Sequence, residues 1–446
     1  MKRFADWREY QRCLRRRRQL STVRRHVAAA PALLVIVGFT FLIFWHVVCR
    51  ATGDSGGSVV TVQAEVGQNS LNKPALAGLL GGCNIDAQRP DLIVTQKGKR
   101  ILYVQTTIDP VLQHDAATML ERSPSLRGAC VVVDPQTGRV LVLANKNSTT
   151  RQNLCLTASP AASLFKLVTA AAAVEERQLG PETTLYFCGN PYSMPRPSPV
   201  RRTSGTEITL ASALASSVNP VFGDLGATTL GAELLRRWGE RFCFNRSIPF
   251  ELALAPSHLE VPGDQFEIAK IAAGFNRRTT ISPVHAALLA GAIASGGRMP
   301  EPTVVERVLD GRHAPLYTQH PAMLGEVCSE ATAHQLRRMM VATVTEGTCR
   351  RSLLPELGAI LPLSVEVGGK TGSIFGDHGK VKYDWFTGFA LDRNSGRTLA
   401  IATFQEHGRY LGHKSSNIAG RLIRHYFDRL ASETKGAAVR AAMPQS

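Results

Sequence analysis

The chain is 446 residues long, 44% hydrophobic and 20% charged, a globular composition with material for a large core and two or three domains. Its formal net charge is +17, yet the first 26 residues hold ten Lys or Arg against only Asp6 and Glu9, so nearly half the excess sits on a short tail. That distribution argues against a basic nucleic-acid-binding domain. The nine cysteines form no C-x-x-C and no Cys/His group with zinc spacing, so no metal or other cofactor is expected. Isolated cysteines read as buried thiols, some of which an oxidising compartment would pair.

In chain order, the basic tail 1–26 is followed by residues 27–48, free of formal charge and rich in Leu, Val, Ile and Phe. About 20 such residues span a bilayer as a helix, and the Lys/Arg excess before them sets that side in the cytoplasm. A cleaved signal peptide is the alternative, but the run is longer than the usual h-region and no A-x-A site follows closely. The expected protein is therefore single-pass in the cytoplasmic (inner) membrane, with the remainder in the periplasm or otherwise outside the cytoplasm. Residues 49–97 read as a stalk or linker, rich in Gly, Ser, Thr and Val at their start, with order expected from about Arg100.

Asp109-Pro110 predicts a helix start, Asp109 capping and Pro110 at the first helical position. Cys130 to Asn145 predicts a hairpin turning at Pro135-Gln136-Thr137-Gly138. A long helical region is expected from Pro160 to about Arg351, interrupted by Pro- and Gly-rich loops. Strand patterns return at Val365 to Ile374, Tyr383 to Leu391 and Thr398 to Gln405. Ile418 to Leu430 reads as an amphipathic closing helix before a flexible tail, 435–446. Strands at both ends with helices between them imply one α+β domain, 98–434, whose sheet is assembled from distant parts of the chain.

Three short motifs carry the chemistry. In Ser163-Leu164-Phe165-Lys166, serine and lysine three residues apart share a helix face. Ser159 and Pro160 predict its cap and first position, and Gly180-Pro181 its stop. The surroundings are apolar nearly all round, so the lysine is expected to be buried, with a lowered pKa suited to taking a proton from a hydroxyl. A serine is a weak nucleophile until such a base is beside it. Ser217-Val218-Asn219 follows an expected helix end and offers a hydroxyl and an amide to one cleft. Lys370-Thr371-Gly372-Ser373 lies on a late strand after Gly368-Gly369, where lysine and threonine suit a carboxylate and the Ser373 N–H suits a carbonyl oxygen. Each motif alone has a commonplace reading: a core helix, a helix end, a surface hairpin.

Together and in this order they are the described signature of β-lactamases and penicillin-binding proteins. From about residue 100 to 431 the chain resembles the transpeptidase domain of high-molecular-mass penicillin-binding proteins. Supporting stretches include Thr106 to Pro110, Ala129 to Leu143, Ile208 to Phe222, Glu346-Gly347-Thr348 and Asp384 to Phe389. The resemblance implies a five-stranded antiparallel sheet flanked by helices, with an all-helical subdomain. It implies that Ser163 is the acylated nucleophile and Lys166 the base, with Ser217 and Lys370 as a proton path to the leaving amine. Asn219 would bind the substrate amide, Thr371 the terminal carboxylate, and the N–H groups of Ser163 and Ser373 would form the oxyanion hole. Ala162, Leu164 and Cys349 stand where the family commonly has glycine, threonine and glycine.

The implied ligands are peptidoglycan stem peptides and β-lactams, and the implied activity is D,D-transpeptidation, with D,D-carboxypeptidase or a non-catalytic β-lactam sensor or scaffold as alternatives. The segment before residue 100 is too short for a glycosyltransferase module and lacks the usual pedestal signature. The expected partner is therefore a separate glycan-polymerising enzyme or a division or elongation complex.

Overall fold

The computed structural model describes residues 71–80, 90–97, 100–147, 152–198, 200, 202–358, 364–376, 381–408 and 412–442. The expected membrane span at 27–48 lies outside them, and no helix among the described residues is long and apolar enough to cross a membrane.

Structure starts earlier than the expected order from Arg100. Helix α1 (Lys73–Leu80) buries Leu76, Leu79 and Leu80, and strand β1 (Leu92–Lys97) pairs antiparallel with β2 (Arg100–Thr106). Helix α2 (Pro110–Arg122) begins as predicted: the Asp109 carboxylate accepts from the Val111 and Leu112 N–H groups, with Pro110 in the first turn. Such a cap is worth about 1 kcal/mol. The predicted hairpin is β3 (Arg127–Val133) and β4 (Val140–Asn147).

The segment that follows is less uniformly helical than the sequence suggests. Ser159 and Pro160 do not cap the Ser163 helix. They pair with Ile281 and Thr280 in a short antiparallel bridge, and the chain then enters a 3₁₀ turn, Ala162–Phe165, that leads into α3 (Lys166–Arg177). Nor does Gly180-Pro181 stop that helix. Gln178, in left-handed conformation at φ 54°, already does so. Helices α4 (Leu210–Ala215), α5 (Asn219–Asp224), α6 (Gln265–Ala272), α7 (Pro283–Ala294) and α8 (Glu330–Thr345) are interleaved with a hairpin at 184–209 and with β5 (Val305–Leu309) and β6 (Pro315–Thr318). The latter two extend the β1–β2 pair into a four-stranded sheet. Helix α9 (Arg350–Leu357) precedes the last strands.

The main sheet runs β7-β8-β9-β3-β4, with β7 (Val365–Gly376), β8 (Val381–Asp392) and β9 (Thr398–His407) all antiparallel to their neighbours. Its five strands and the helices on both faces match the expected α+β architecture. One face, through Val132, Val367, Phe386 and Ile401, packs on α2, α9 and the closing helix α10 (Ser415–Ala442), which contribute Leu112, Leu353 and Ile423. The other, through Val131, Phe389 and Ala402, packs on α7 and the helices around Ser163. Among the described cysteines, Cys130, Cys188, Cys243, Cys328 and Cys349 are thiols, not disulfides.

Candidate active site

The three motifs, dispersed over more than 200 residues, meet in one cleft of about 1140 Å³ lined by Ser163, Ser217, Asn219, Thr371 and Ser373. Ser163 stands in the 3₁₀ turn before α3, one turn ahead of Lys166. Ala162, at φ 48°, provides the sharp entry. Two glycines permit the packing around it. A Cβ on Gly274, itself at φ +63°, would sit 1.9 Å from the Ala162 carbonyl oxygen, so only glycine lets the chain after α6 lie against the nucleophile turn. A Cβ on Gly372 would come within 3.3 Å of both Ala161 O and Ala162 Cβ, so the bare backbone brings β7 against the same turn. The Trp385 indole N–H, from the neighbouring strand, donates to the Pro160 carbonyl at 2.9 Å and fastens the turn from the other side.

Lys166 is fully buried. Its Nζ donates to Ser163 Oγ at 3.0 Å, to Asn219 Oδ1 at 2.8 Å and to the Ala273 carbonyl. Those three acceptors match the three donors of an ammonium, but none is charged. Burial, and then repulsion from Lys370, hold the Lys166 pKa well below its ordinary value. Lys370 is also fully buried. Its Nζ donates to Ser217 Oγ at 3.0 Å and to the Thr371 carbonyl at 2.9 Å. Burial lowers its pKa to about 7. The same seclusion, only partly offset by Lys370, pushes the nearby Cys349 thiol up to about 12, so it remains protonated at neutral pH.

Ser217 holds its position through a left-handed backbone, φ 59°, in the tight link between α4 and α5. Asn219 is the first residue of α5, and its side chain is spoken for at both ends: Oδ1 accepts from Lys166 and Nδ2 donates to the Tyr192 carbonyl at 2.8 Å. A substrate amide would have to compete with these bonds. On β7, Lys370, Thr371 and Ser373 are paired in register with Thr387, Phe386 and Asp384. The Thr371 hydroxyl is hydrogen-bonded to that of Thr348, and Ser373 Oγ donates to Asp384 Oδ1 at 3.2 Å.

All the residues singled out from sequence thus converge. Two further participants were not. The Ala273 carbonyl holds Lys166, and Thr348 holds Thr371. The run of small residues Ala272-Ala273-Gly274 is a signal for close backbone approach, and Thr348 belongs to a stretch already noted for its resemblance. A backbone carbonyl, however, has no residue-type signature. The arrangement can deprotonate a hydroxyl with a neutral amine, hold a second amine beside a second hydroxyl, and present polar groups of a strand edge to an extended ligand.

A family model of the penicillin binding protein transpeptidase domain matches residues 128–424. Among characterised proteins, the chain is similar to "Stage V sporulation protein D" of Bacillus subtilis (strain 168), 24% identical over 215 residues, covering 47% of this chain and 32% of that protein. The chain thus spans about a third of that relative's length. Among solved structures, it is similar to the D,D-transpeptidase domain of a peptidoglycan glycosyltransferase from Eggerthella lenta, with TM-score 0.61, 24% identity, and coverage of 73% of this chain and 83% of that one. It is also similar to penicillin-binding protein A of Mycobacterium tuberculosis, solved as an imipenem acyl-enzyme, with TM-score 0.60, 22% identity, and coverage of 72% and 78%. At these identities the structural likeness speaks for the fold.

Proposed function

We propose a catalytic function for this chain, which belongs to the penicillin-binding protein transpeptidase family: it is a peptidoglycan D,D-transpeptidase that works through a serine acyl-enzyme. One observation carries the reading. Lys166 Nζ lies 3.0 Å from Ser163 Oγ, and burial holds that amine well below its ordinary pKa. A neutral amine at that distance can accept the hydroxyl proton as Oγ attacks the carbonyl carbon of the penultimate D-alanine. The C–N bond to the terminal D-alanine then breaks. The leaving amine takes a proton through Ser217 and Lys370, whose hydrogen bond of 3.0 Å supports such a relay. Thr371 receives the terminal carboxylate, Asn219 the substrate amide, and the N–H groups of Ser163 and Ser373 the developing oxyanion. β7 is the edge strand of the main sheet, so an extended peptide can pair alongside it, a common mode of peptide capture. An acceptor amine attacking the ester completes the cross-link and regenerates Ser163.

The same chemistry makes Ser163 the site of acylation by β-lactams, as the imipenem complex describes for the M. tuberculosis protein. The basic tail and the uncharged run at 27–48 support an anchor in the cytoplasmic membrane with the catalytic domain outside. Cross-linking also needs donor and acceptor strands held together, which a membrane-bound glycan polymerase would supply by proximity.

The test is product analysis with the full chain, a D-Ala-D-Ala peptide donor and an amine acceptor. Release of D-alanine with formation of the amide-linked product is expected, and neither with Ser163→Ala. Free D-alanine and truncated peptide only, under every acceptor concentration, would reassign the protein as a carboxypeptidase. Turnover by Ser163→Ala would place the nucleophile elsewhere.

A further inference from the structure

A second cleft lies on the other face of the main sheet, in the groove between α2 and α10. It encloses about 530 Å³, a size that holds a small ligand. Each helix turns one side to it, Asp115, Met119 and Arg122 from α2 and Asn417, Arg421 and Arg424 from α10. Both sets follow the same i, i+4, i+7 spacing of a single helix face. The groove is held at both ends by the fold. At one end Arg429 Nη1 donates to Asp109 Oδ1 at 2.8 Å and ties the two helices together. At the other the backbone before α10 lies directly on the loop after α2, where a Cβ on Gly412 would meet the Pro124 ring at 2.4 Å.

The acidic and amide groups of this lining are already engaged. Glu356, from α9, accepts from Arg421 Nε at 2.7 Å, from Arg421 Nη2 at 3.2 Å and from Asn417 Nδ2 at 3.1 Å. These bonds, Arg421 first, hold its carboxyl below the ordinary range. Asp115 Oδ2 lies 3.0 Å from His425 Nδ1. Asn417 also donates to the Ser352 carbonyl at 2.7 Å and accepts from the Lys414 N–H at 2.9 Å, so its amide is saturated. What is left over is cationic. Arg122 stands exposed in the last turn of α2, and Arg424 is half-buried on α10. Among the described residues no carboxylate lies within 4.0 Å of either guanidinium. His413 lines the same cleft.

We infer that this groove is a binding site for a phosphate-bearing ligand, which Arg122 reaches from α2 and Arg424 from α10. Two free guanidiniums on facing helices, with both neighbouring carboxylates paired off, call for an anion. The kind of anion follows from geometry. A carboxylate has two coplanar oxygens, which a single guanidinium fork saturates. A phosphate ester has three acceptor oxygens that point apart, so it accepts from both walls at once. Arginine at both places, rather than lysine, suits such bidentate contacts. Met119 and Ile418 add apolar surface, and the volume leaves room for a small polyol beside the phosphate. The site is separate from Ser163 and does not depend on the catalytic reading.

The experiment titrates the full chain by calorimetry at low salt with inorganic phosphate, with the monoester glycerol 3-phosphate and with the diester glycerophosphoglycerol. Succinate serves as a dianion without phosphorus. Saturable binding of a phosphate compound is expected with a Kd of about 1 mM or tighter, and about 10-fold tighter than that of succinate. Arg122→Gln/Arg424→Gln should weaken it about 10-fold or more. Arg122→Lys/Arg424→Lys should weaken it about 3-fold, because the charges remain and the forks are lost. Binding of the diester assigns the site to a lipid headgroup or a phosphodiester chain. Binding of the monoester or of phosphate alone assigns it to a small soluble phosphate. No saturable binding of any of the three overturns the inference, as does equal affinity for succinate or binding that survives the Gln pair. If thermal unfolding shows the Gln pair to be misfolded, the Lys pair decides, and wild-type affinity there contradicts the assignment.

Discussion

The two faces of the main sheet bury their polar groups by different rules. On the face covered by α2, α9 and α10, the interior is aliphatic and aromatic, and the charges stand at its margin in opposite-sign pairs: Asp109 with Arg429, Asp115 with His425 at 3.0 Å, Glu356 with Arg421 at 2.7 Å. On the other face two lysines are wholly buried, and among the described residues neither has a carboxylate within ion-pair distance. Lys370 shares this face with Thr387, its partner in register, whose hydroxyl donates to the Ala286 carbonyl of α7. Burying an amine with only neutral acceptors costs free energy, which a fold tolerates where the lowered pKa is used. The first face is arranged for stability, and the second gives some of it up to hold two amines below their ordinary pKa.

That contrast breaks most sharply at Lys166. Lys166→Met keeps much of the side-chain volume and removes the base. The rate of acylation by benzylpenicillin should fall by about 10²- to 10⁴-fold, while thermal unfolding shifts little, since the lost hydrogen bonds are offset by relief of the cost of burying an amine. A variant that is both markedly unstable and still rapidly acylated would reverse the comparison. Next in size is the pH dependence at Lys370. Its folded pKa is depressed, so between about 7 and 10.5 the unfolded chain binds the extra proton. Stability linked to this group is present above about 10.5 and is lost as pH falls toward about 7. Wild-type stability should therefore rise relative to Lys370→Met as pH increases from 7 to 9.5 in denaturant titrations. A difference that stays flat over that range would mean that Lys370 keeps an ordinary pKa.

The smallest effect belongs to the other face. Asp109→Ala removes a helix cap and the bond to Arg429 that ties α2 to α10, and should cost about 1–2 kcal/mol of stability. The acylation rate measured well below the unfolding temperature should not change. A large loss of rate would mean that the margin of the first face communicates with the cleft.

How much of this was legible in the sequence follows the same division. Period-two runs, the Asp109-Pro110 start and the Pro135-Gln136-Thr137-Gly138 turn mark the sheet and α2, because local pattern and tertiary placement agree there. The three motifs mark the cleft, because their residue types are uncommon together. What was misread depends on distant partners. Ser159-Pro160 has the form of a helix start, yet it pairs with Thr280-Ile281, and the short bridge outweighs the local preference. Residues 73–80 follow a Gly- and Ser-rich stretch and form an apolar run of only about two turns, broken by Gly78, so a helix anchored by Leu76, Leu79 and Leu80 resembled linker. The Lys166 to Ala273 bond spans 107 residues and ends on a backbone carbonyl, which no residue type announces.

The account turns on burial and Lys370 holding the Lys166 pKa well below its ordinary value, and the saturating rate constant for acylation of the full chain by benzylpenicillin, followed upward from pH 6.5, reads that shift directly. With the Lys166 pKa held well below its ordinary value by burial and by Lys370, the rate constant should level off well before the ordinary lysine pKa of about 10.4. A rate constant that climbs about tenfold for every pH unit up to 9 would show a lysine with an ordinary pKa near 10.4, and would contradict the account.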